Sequence, residues 1–297
     1  MTKPMDGALK IRAAFFAVLV AFGLFLLKIL VGFATHSMSI LASGVDSLMD
    51  LMASTINFFS IKSAAEPADE SHQFGHGKIE SLSGLLQGLL IGISALYLAY
   101  RSLMRLVHEE PLELVQLGIV TMVVSTLVTI VLVRYMQKVA STTGSLALRA
   151  DSLHYASDVL TNLGSLLALV LVRWTGQSRI DPVISLVIAG YIFRSAAVVF
   201  KNSIDILMDR SLAREVIEEI RSVLQSEPSV RGFHRLRTRQ SGTHKFIDLH
   251  LSMDPSLTFA EAHELSEEVG RRIKLKIPNS DVTIHADPFG LEEEENI

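Results

Sequence analysis

The sequence predicts an α-helical membrane protein with six transmembrane helices, followed by a C-terminal cytoplasmic α+β domain. Apolar residues make up 49% of the 297 residues, and the mean hydropathy is +0.39, which is high for a soluble domain. These apolar residues are concentrated in blocks of about 20, the length that a helix needs to cross a bilayer. After residue 200 the blocks end, and shorter amphipathic patterns replace them.

Six segments are long and apolar enough to cross a bilayer as helices. They are the ranges 13–34, 39–61, 82–100, 114–133, 152–172 and 182–200. The first is predicted to be a retained span, because its apolar run is too long for a signal peptide and no small-residue cleavage pattern follows it. The third carries Gly84, Gly88 and Gly92 at four-residue intervals. Such a stripe allows close helix packing in lipid, either within the chain or across a dimer.

The charges indicate the orientation and exclude several classes of function. Ten Lys and Arg residues border the predicted loops on the side of the termini, against four on the other side, which places both termini in the cytoplasm and the chain in the cytoplasmic membrane. The net charge of −4 gives no indication of a nucleic-acid partner. Because the chain has no cysteine, disulfides, Cys-ligated zinc and a thiol nucleophile are excluded.

The segment after residue 200 predicts a small domain with the element order α-β-β-α-β. The predicted elements are a helix capped by Ser211, a strand over 231–240, a strand over 246–253, a helix with a Thr258/Glu261 capping box and a strand over 282–287. The predicted domains are therefore 1–205 for transport and 206–290 for the cytoplasmic part. An acidic tail covers 291–297.

Two pairs of ionisable residues lie inside predicted spans. Asp46 and Asp50 are four residues apart in the second span, and His154 and Asp158 repeat that spacing in the fifth. Four residues are about one helical turn, so each pair shares a helix face. Ionisable groups at membrane depth mark ion or proton pathways. Three carboxylates and an imidazole form a ligand set for Zn²⁺ and leave Fe²⁺, Mn²⁺, Co²⁺ and Cd²⁺ open.

Two further clusters of metal-ligand type lie outside the spans. Asp69, His72 and His76 occupy the loop after the second span, where glycines on both sides of His76 permit a tight turn. His285 and Asp287 are two residues apart on a strand and therefore point to the same face. His250 lies on the polar face of its own strand, and His234 and His263 are candidates to join it.

These motifs together resemble the cation diffusion facilitator family of metal/proton antiporters, especially its bacterial zinc and iron efflux members. The matching residues are Asp46-x-x-x-Asp50, His154-x-x-x-Asp158 and Gly75-His76-Gly77-Lys78, and the resemblance covers essentially the whole chain. It implies a homodimer with a ferredoxin-like cytoplasmic domain. It implies a transport site at Asp46, Asp50, His154 and Asp158, a loop site at Asp69, His72 and His76, and a two-metal cytoplasmic site at His234, His250, His263, His285 and Asp287, with Asp287 bridging. It also implies a charge interlock between Lys78 and Asp209.

The predicted function is efflux of a divalent metal ion in exchange for protons, which compete with the metal for the same ligands. Zn²⁺ is the predicted substrate, and Fe²⁺, Cd²⁺, Co²⁺ and Mn²⁺ are further candidates. The alternatives are a passive metal channel and a membrane-anchored metal sensor. An enzyme is not predicted. The two His-Glu pairs, at His108 and His263, lack the second histidine that a membrane metalloprotease needs four residues after the first.

Overall fold

A computed structural model describes residues 4–35, 38–107, 116–177 and 179–290. The chain divides into two compact units, one formed by Met5–Ile204 and the other containing Asp205 and the chain that follows it. The predicted acidic tail, 291–297, lies outside the described residues.

Six long helices, each of 27 to 32 residues, correspond to the six predicted spans. They are α1 (Pro4–Thr35), α2 (Met38–Ala64), α3 (Lys78–Val107), α4 (Gln116–Thr143), α5 (Leu146–Thr175) and α6 (Ile180–Leu207). Each helix ends after its predicted apolar segment, and five of the six also begin before it. Only the first two residues of the segment 114–133 fall outside the described chain.

Five of these helices are long and apolar enough to cross a membrane, and α2 is not among the five. The reason is its polar content, since Asp46, Asp50 and Asn57 lower the hydropathy of the segment. Asn57 is fully buried against other helices. A buried polar group inside a bundle is satisfied by protein partners rather than by lipid. The polar residues of α2 therefore indicate a functional helix.

Small residues allow close helix contacts in this unit. Ala13, Ala14 and Ala17 of α1 are fully buried in a core shared with α2, α4 and α5. At Gly88 of α3, an added Cβ would lie 3.0 Å from the backbone nitrogen of Phe200 in α6, so only glycine permits this approach. The glycine stripe of α3 thus serves packing within the chain at this position, whereas Gly92 has no neighbour within 4 Å of such a Cβ.

The second unit contains two helices and a three-stranded sheet. Its elements are α7 (Arg214–Gln225), β1 (Val230–Ser241), β2 (His244–Met253), α8 (Phe259–Lys276) and β3 (Ser280–Pro288). The strand order is β1-β2-β3, with β1 antiparallel and β3 parallel to β2. The predicted α-β-β-α-β order is confirmed, and so is the fold class of helical membrane domain plus α+β domain.

Alternation along β2 determines the two faces of the sheet. Ile247, Leu249 and Leu251 are at most 1% exposed and pack against the apolar faces of α7 and α8, as their spacing predicts. The capping box of Thr258 and Glu261 at the start of α8 is confirmed. The predicted cap at Ser211 is wrong. The residue before α7 is Ala213, and it makes no side-chain hydrogen bond to the helix.

Candidate metal centres

Asp50, His154 and Asp158 converge between α2 and α5. His154 Nε2 lies 2.8 Å from Asp50 Oδ1, and one ligand atom from each of the three residues lies within 4.8 Å of the others. Ligand atoms about 2.0–2.2 Å from a tetrahedral Zn²⁺ lie roughly 3.3–3.6 Å from one another. The Asp50–His154 separation is shorter than this and the upper bound is longer, so the three side chains would have to adjust to hold an ion. The predicted one-turn spacing brings His154 and Asp158 together on one face of α5.

Asp46 is not part of this group in the described structure. It lies one turn before Asp50 on α2, and it is exposed. The group formed by Asp50, His154 and Asp158 supplies three ligands, so a fourth is needed for tetrahedral coordination. Assignment of Asp46 as that fourth ligand remains a prediction.

A buried hydrogen-bond network lies directly beside the three ligands, on the side of the loop that follows α2. Asp151 is 1% exposed, and its carboxylate accepts hydrogen bonds from Ser54 Oγ at 3.2 Å and Asn57 Nδ2 at 3.2 Å. Tyr155 Oη lies 2.7 Å from Ser54 Oγ, and Ser83 of α3 donates to Asn57 Oδ1 at 3.0 Å. The network joins α2, α3 and α5 on this side of the ligand cluster.

Sequence reasoning missed two charged residues near the cluster. Asp151 was overlooked because the predicted fifth span began one residue after it. Lys28 lies in the middle of α1, and its Nζ donates to Ser47 Oγ at 2.8 Å and to the carbonyl of Ser43 at 3.5 Å. The rule that singled out Asp46 and Asp50 as charges inside a span applies equally to Lys28.

The loop cluster folds as its glycine pattern predicts. Gly75 has a φ of 76°, a left-handed conformation that favours glycine. His72 Nδ1 lies 3.1 Å from His76 Nε2, and the two imidazole nitrogens lie 3.5 and 3.4 Å from the oxygens of Asp69. These separations match the edges of a tetrahedral zinc site of roughly 3.3–3.6 Å.

Backbone hydrogen bonds hold Asp69 in its ionised form. The amide of His72 donates to Asp69 Oδ1 at 2.6 Å, and the amide of Ser71 donates to the same atom at 2.9 Å. These two hydrogen bonds lower the pKa of Asp69 below its usual value, and the bond from the His72 amide has the larger effect. The carboxylate therefore stays charged in acid to a lower pH than a free aspartate. Protons must compete with metal mainly at the imidazoles.

We expect zinc at the loop cluster to be lost in acid, because its ligands must be deprotonated to bind a metal. Bound zinc per chain, counted by atomic emission after gel filtration, should fall by about one ion in His76→Ala at neutral pH. Gln73→Ala, an exposed neighbour in the same loop, is the matched control and should keep the full count. An unchanged zinc count in His76→Ala would show that the loop cluster does not bind zinc.

The cytoplasmic cluster is a row of histidines across the sheet. Strand register pairs His234 with His250 and His250 with His285. The ring centroids of neighbours are 5.0 and 4.7 Å apart. Their side chains lie on the polar face of the sheet, opposite Leu249 and Leu251. His234 Nδ1 is buried and has no hydrogen-bond partner in the described chain. The donor set and this unsatisfied nitrogen both fit a metal site.

Asp287 lies between the histidines. Its Oδ2 is 2.8 Å from His250 Nδ1 and 3.3 Å from His234 Nε2, whereas its Oδ1 is 3.1 Å from His285 Nε2. One oxygen thus faces two imidazoles and the other faces the third, an arrangement compatible with a bridging carboxylate. His263 lies on α8 and stacks on Phe259. It lines the same groove as His285 and Asp287, but it does not join their contacts.

The predicted interlock of Lys78 and Asp209 would join the two compact units and remains a prediction. Within its own unit, Asp209 Oδ1 lies 3.8 Å from Arg239 Nη1. Its φ of 56° is left-handed, a conformation that aspartate adopts more readily than most residues.

Comparison with known proteins covers both units. The sequence profile of the cation efflux transmembrane domain matches residues 14–208, and that of the cation efflux protein cytoplasmic domain matches residues 212–289. A cation-efflux pump FieF of Klebsiella pneumoniae is 41% identical over 285 residues, which cover 96% of this chain and 95% of the relative. FieF of Cronobacter sakazakii is 42% identical over the same shares of the two chains.

The metal-bound C-terminal domain of the CzcD transporter from Thermotoga maritima is 31% identical, with a TM-score of 0.27, and covers 28% of this chain and all of that domain. The two matched profiles account for nearly the whole chain, and the full-length relatives are named cation-efflux pumps. The chain is thus a multi-pass membrane transporter of cations rather than an enzyme, and it belongs to the cation diffusion facilitator family.

Proposed function

We propose that the chain exports a divalent transition-metal ion from the cytoplasm in exchange for protons, with Zn²⁺ as the first substrate and Fe²⁺, Cd²⁺, Co²⁺ or Mn²⁺ as further ones. The observation that carries this proposal is the convergence of Asp50, His154 and Asp158 from α2 and α5 of the membrane unit. Carboxylates and an imidazole suit this group of metals, and their softness does not select among them. Asp46 is the proposed fourth ligand.

Proton exchange follows from the ligand chemistry. A carboxylate or imidazole must be deprotonated to bind a metal, so protons and metal compete for the same atoms. Binding from the cytoplasm releases protons, and protons entering from outside release the metal. Alternating access requires that only one side of the ligand cluster is open at a time, and the buried network around Asp151 lies where one of these sides would have to close. Both termini are proposed to lie in the cytoplasm.

The cytoplasmic unit is proposed to sense metal and to stabilise a homodimer. Within the proposed division into 1–205 and 206–290, His234, His250, His285 and Asp287 would hold the ion, with His263 as a further ligand that α8 can supply. The ion would link the three strands, and His234 Nδ1 is an imidazole nitrogen there that has no hydrogen-bond partner in the described chain. Its effect on transport would come from different affinities in different conformations of the transporter.

Asp287→Asn should weaken zinc binding to the cytoplasmic unit by at least about a hundredfold, because it removes the only anionic group among three imidazoles. Isothermal titration of the full chain and the zinc dependence of flux measure the effect. Asp281→Asn, an exposed carboxylate on the same strand, is the matched control. Transport should persist with a shifted zinc dependence, and a complete loss of flux would contradict a regulatory role.

Zinc flux into vesicles that contain the purified protein tests the proposed function. An imposed pH gradient should drive zinc uphill, and zinc added to one side should move protons to that side. Flux that ignores the pH gradient would favour a passive channel. Zinc binding without any flux would favour a membrane-anchored sensor.

A further inference from the structure

A cavity of about 890 Å³ opens between α4, α5 and α6, and none of the candidate metal ligands lines it. This volume lies within the range of roughly 300–1,000 Å³ that is typical of small-molecule sites. Its lining includes Ser141 of α4, Ser145 and Ser152 of α5, and Tyr191 and Ser195 of α6. The cavity is therefore rich in hydroxyl groups although it lies within a membrane domain.

Two arginines, Arg149 and Arg194, line the same cavity. None of the described residues that line it is acidic, and within the described ranges neither guanidinium has a carboxylate within the 4.0 Å of an ion pair. Arg149 lies in the first turn of α5, just before the predicted span 152–172, whereas Arg194 lies in the middle of α6, inside the predicted span 182–200; both side chains are exposed. Arginine inside a membrane helix is costly unless a partner neutralises it. These two have no such partner in the described chain.

The charge selects the class of ligand. Two guanidinium groups without a neighbouring carboxylate repel metal cations and attract an anion. Planar guanidinium groups match phosphate through paired hydrogen bonds. Arg149 also lies in the first turn of α5, where the helix dipole favours negative charge. The Ser145 hydroxyl at this end of the helix already donates to Glu80 and is not counted as a ligand.

The apolar part of the lining indicates where the anion comes from. Leu146, Leu153, Val198 and Val199 form part of the same wall. A soluble phosphate would gain nothing from these side chains, whereas the acyl chains of a phospholipid would bury against them. Basic pockets between transmembrane helices are known sites for lipid headgroups.

We propose that this cavity binds the phosphate headgroup of an anionic membrane phospholipid, with Arg149 and Arg194 as its ligands. The lipid would contact α5, the helix that carries His154 and Asp158, and α6, which packs on α3. Neither arginine belongs to a candidate metal centre, so the site can be tested without altering metal binding.

Native mass spectrometry of the full chain in detergent tests the proposal with phosphatidylglycerol, cardiolipin and phosphatidylcholine. Arg149→Gln and Arg194→Gln should each weaken retention of the anionic lipids about tenfold, and the double variant about a hundredfold, because each removes one charge-assisted contact. Phosphatidylcholine should be retained weakly by all forms. Arg134→Gln, an exposed arginine of α4 outside the cavity, is the control and should leave retention unchanged.

Arg149→Lys and Arg194→Lys keep the charge but lose the paired geometry, so they should lie between wild type and the glutamine variants. They also provide the comparison if the double glutamine variant does not fold. Equal lipid retention by wild type and all cavity variants would overturn the proposal. Inorganic phosphate, titrated calorimetrically, distinguishes the source. Arginine-dependent phosphate binding without lipid retention would support an anion site but overturn its assignment to lipid.

Discussion

Replacement of Asp50, His154 or Asp158 by alanine should reduce zinc flux by at least about a hundredfold and abolish zinc capture between α2 and α5. Each change removes one ligand from a cluster whose members lie within 4.8 Å of one another. The two remaining members of the cluster, even with Asp46 as a further ligand, cannot complete the tetrahedral coordination of a dehydrated dication. Because desolvation of the ion at membrane depth is costly, an incomplete coordination shell has little affinity for the metal.

Flux into vesicles and zinc bound per chain measure this effect together. Asp181→Asn is the matched control, since Asp181 is a buried carboxylate of α6 outside the cluster and pairs with Arg105 at 3.4 Å. Asp46→Ala tests the fourth ligand. If Asp46 closes the cage when metal binds, its loss should be as severe as that of Asp50. Zinc capture that survives any of the three central substitutions would refute the site.

The helical period explains why so much of this centre could be predicted from sequence. His154 and Asp158 share a face because four residues make about one turn of α5, and the fold aligns that face with Asp50 of α2. The β2 alternation likewise predicted which side chains form the core and which face carries His250. Such predictions depend on local geometry alone, so they do not require knowledge of the tertiary arrangement.

The remaining features depend on contacts between distant segments. The row of His234, His250 and His285 requires the strand register, including the irregularity of β1 between His234 and Arg237. The hydrogen bonds of Asp151 to Ser54 and Asn57 require the relative rotation of α2 and α5. Periodicity cannot provide either quantity, and it cannot show that Asp46 lies outside the group formed by its partners.

A buried ion pair that the sequence did not reveal has the largest expected effect on stability. Lys10 Nζ of α1 lies 2.7 Å from Glu80 Oε1 of α3, and the two side chains are 8% and 4% exposed. Ser145, the N-cap of α5, donates to Glu80 Oε2 at 2.8 Å. One carboxylate thus joins three helices, and its loss would leave the lysine buried without its anion.

Glu80→Ala should lower the free energy of unfolding by about 3–5 kcal/mol, because an unpaired charge would stay buried. Lys10→Met combined with Glu80→Leu should recover most of this loss, since neither charge then needs a partner. Unfolding in detergent with increasing denaturant, followed by circular dichroism, gives the free energies of wild type and of these two variants. Arg221→Gln breaks the exposed pair with Glu218 and should cost less than about 1 kcal/mol. If Glu80→Ala is no more destabilising than Arg221→Gln, water must reach Lys10, and the three helices do not depend on this carboxylate.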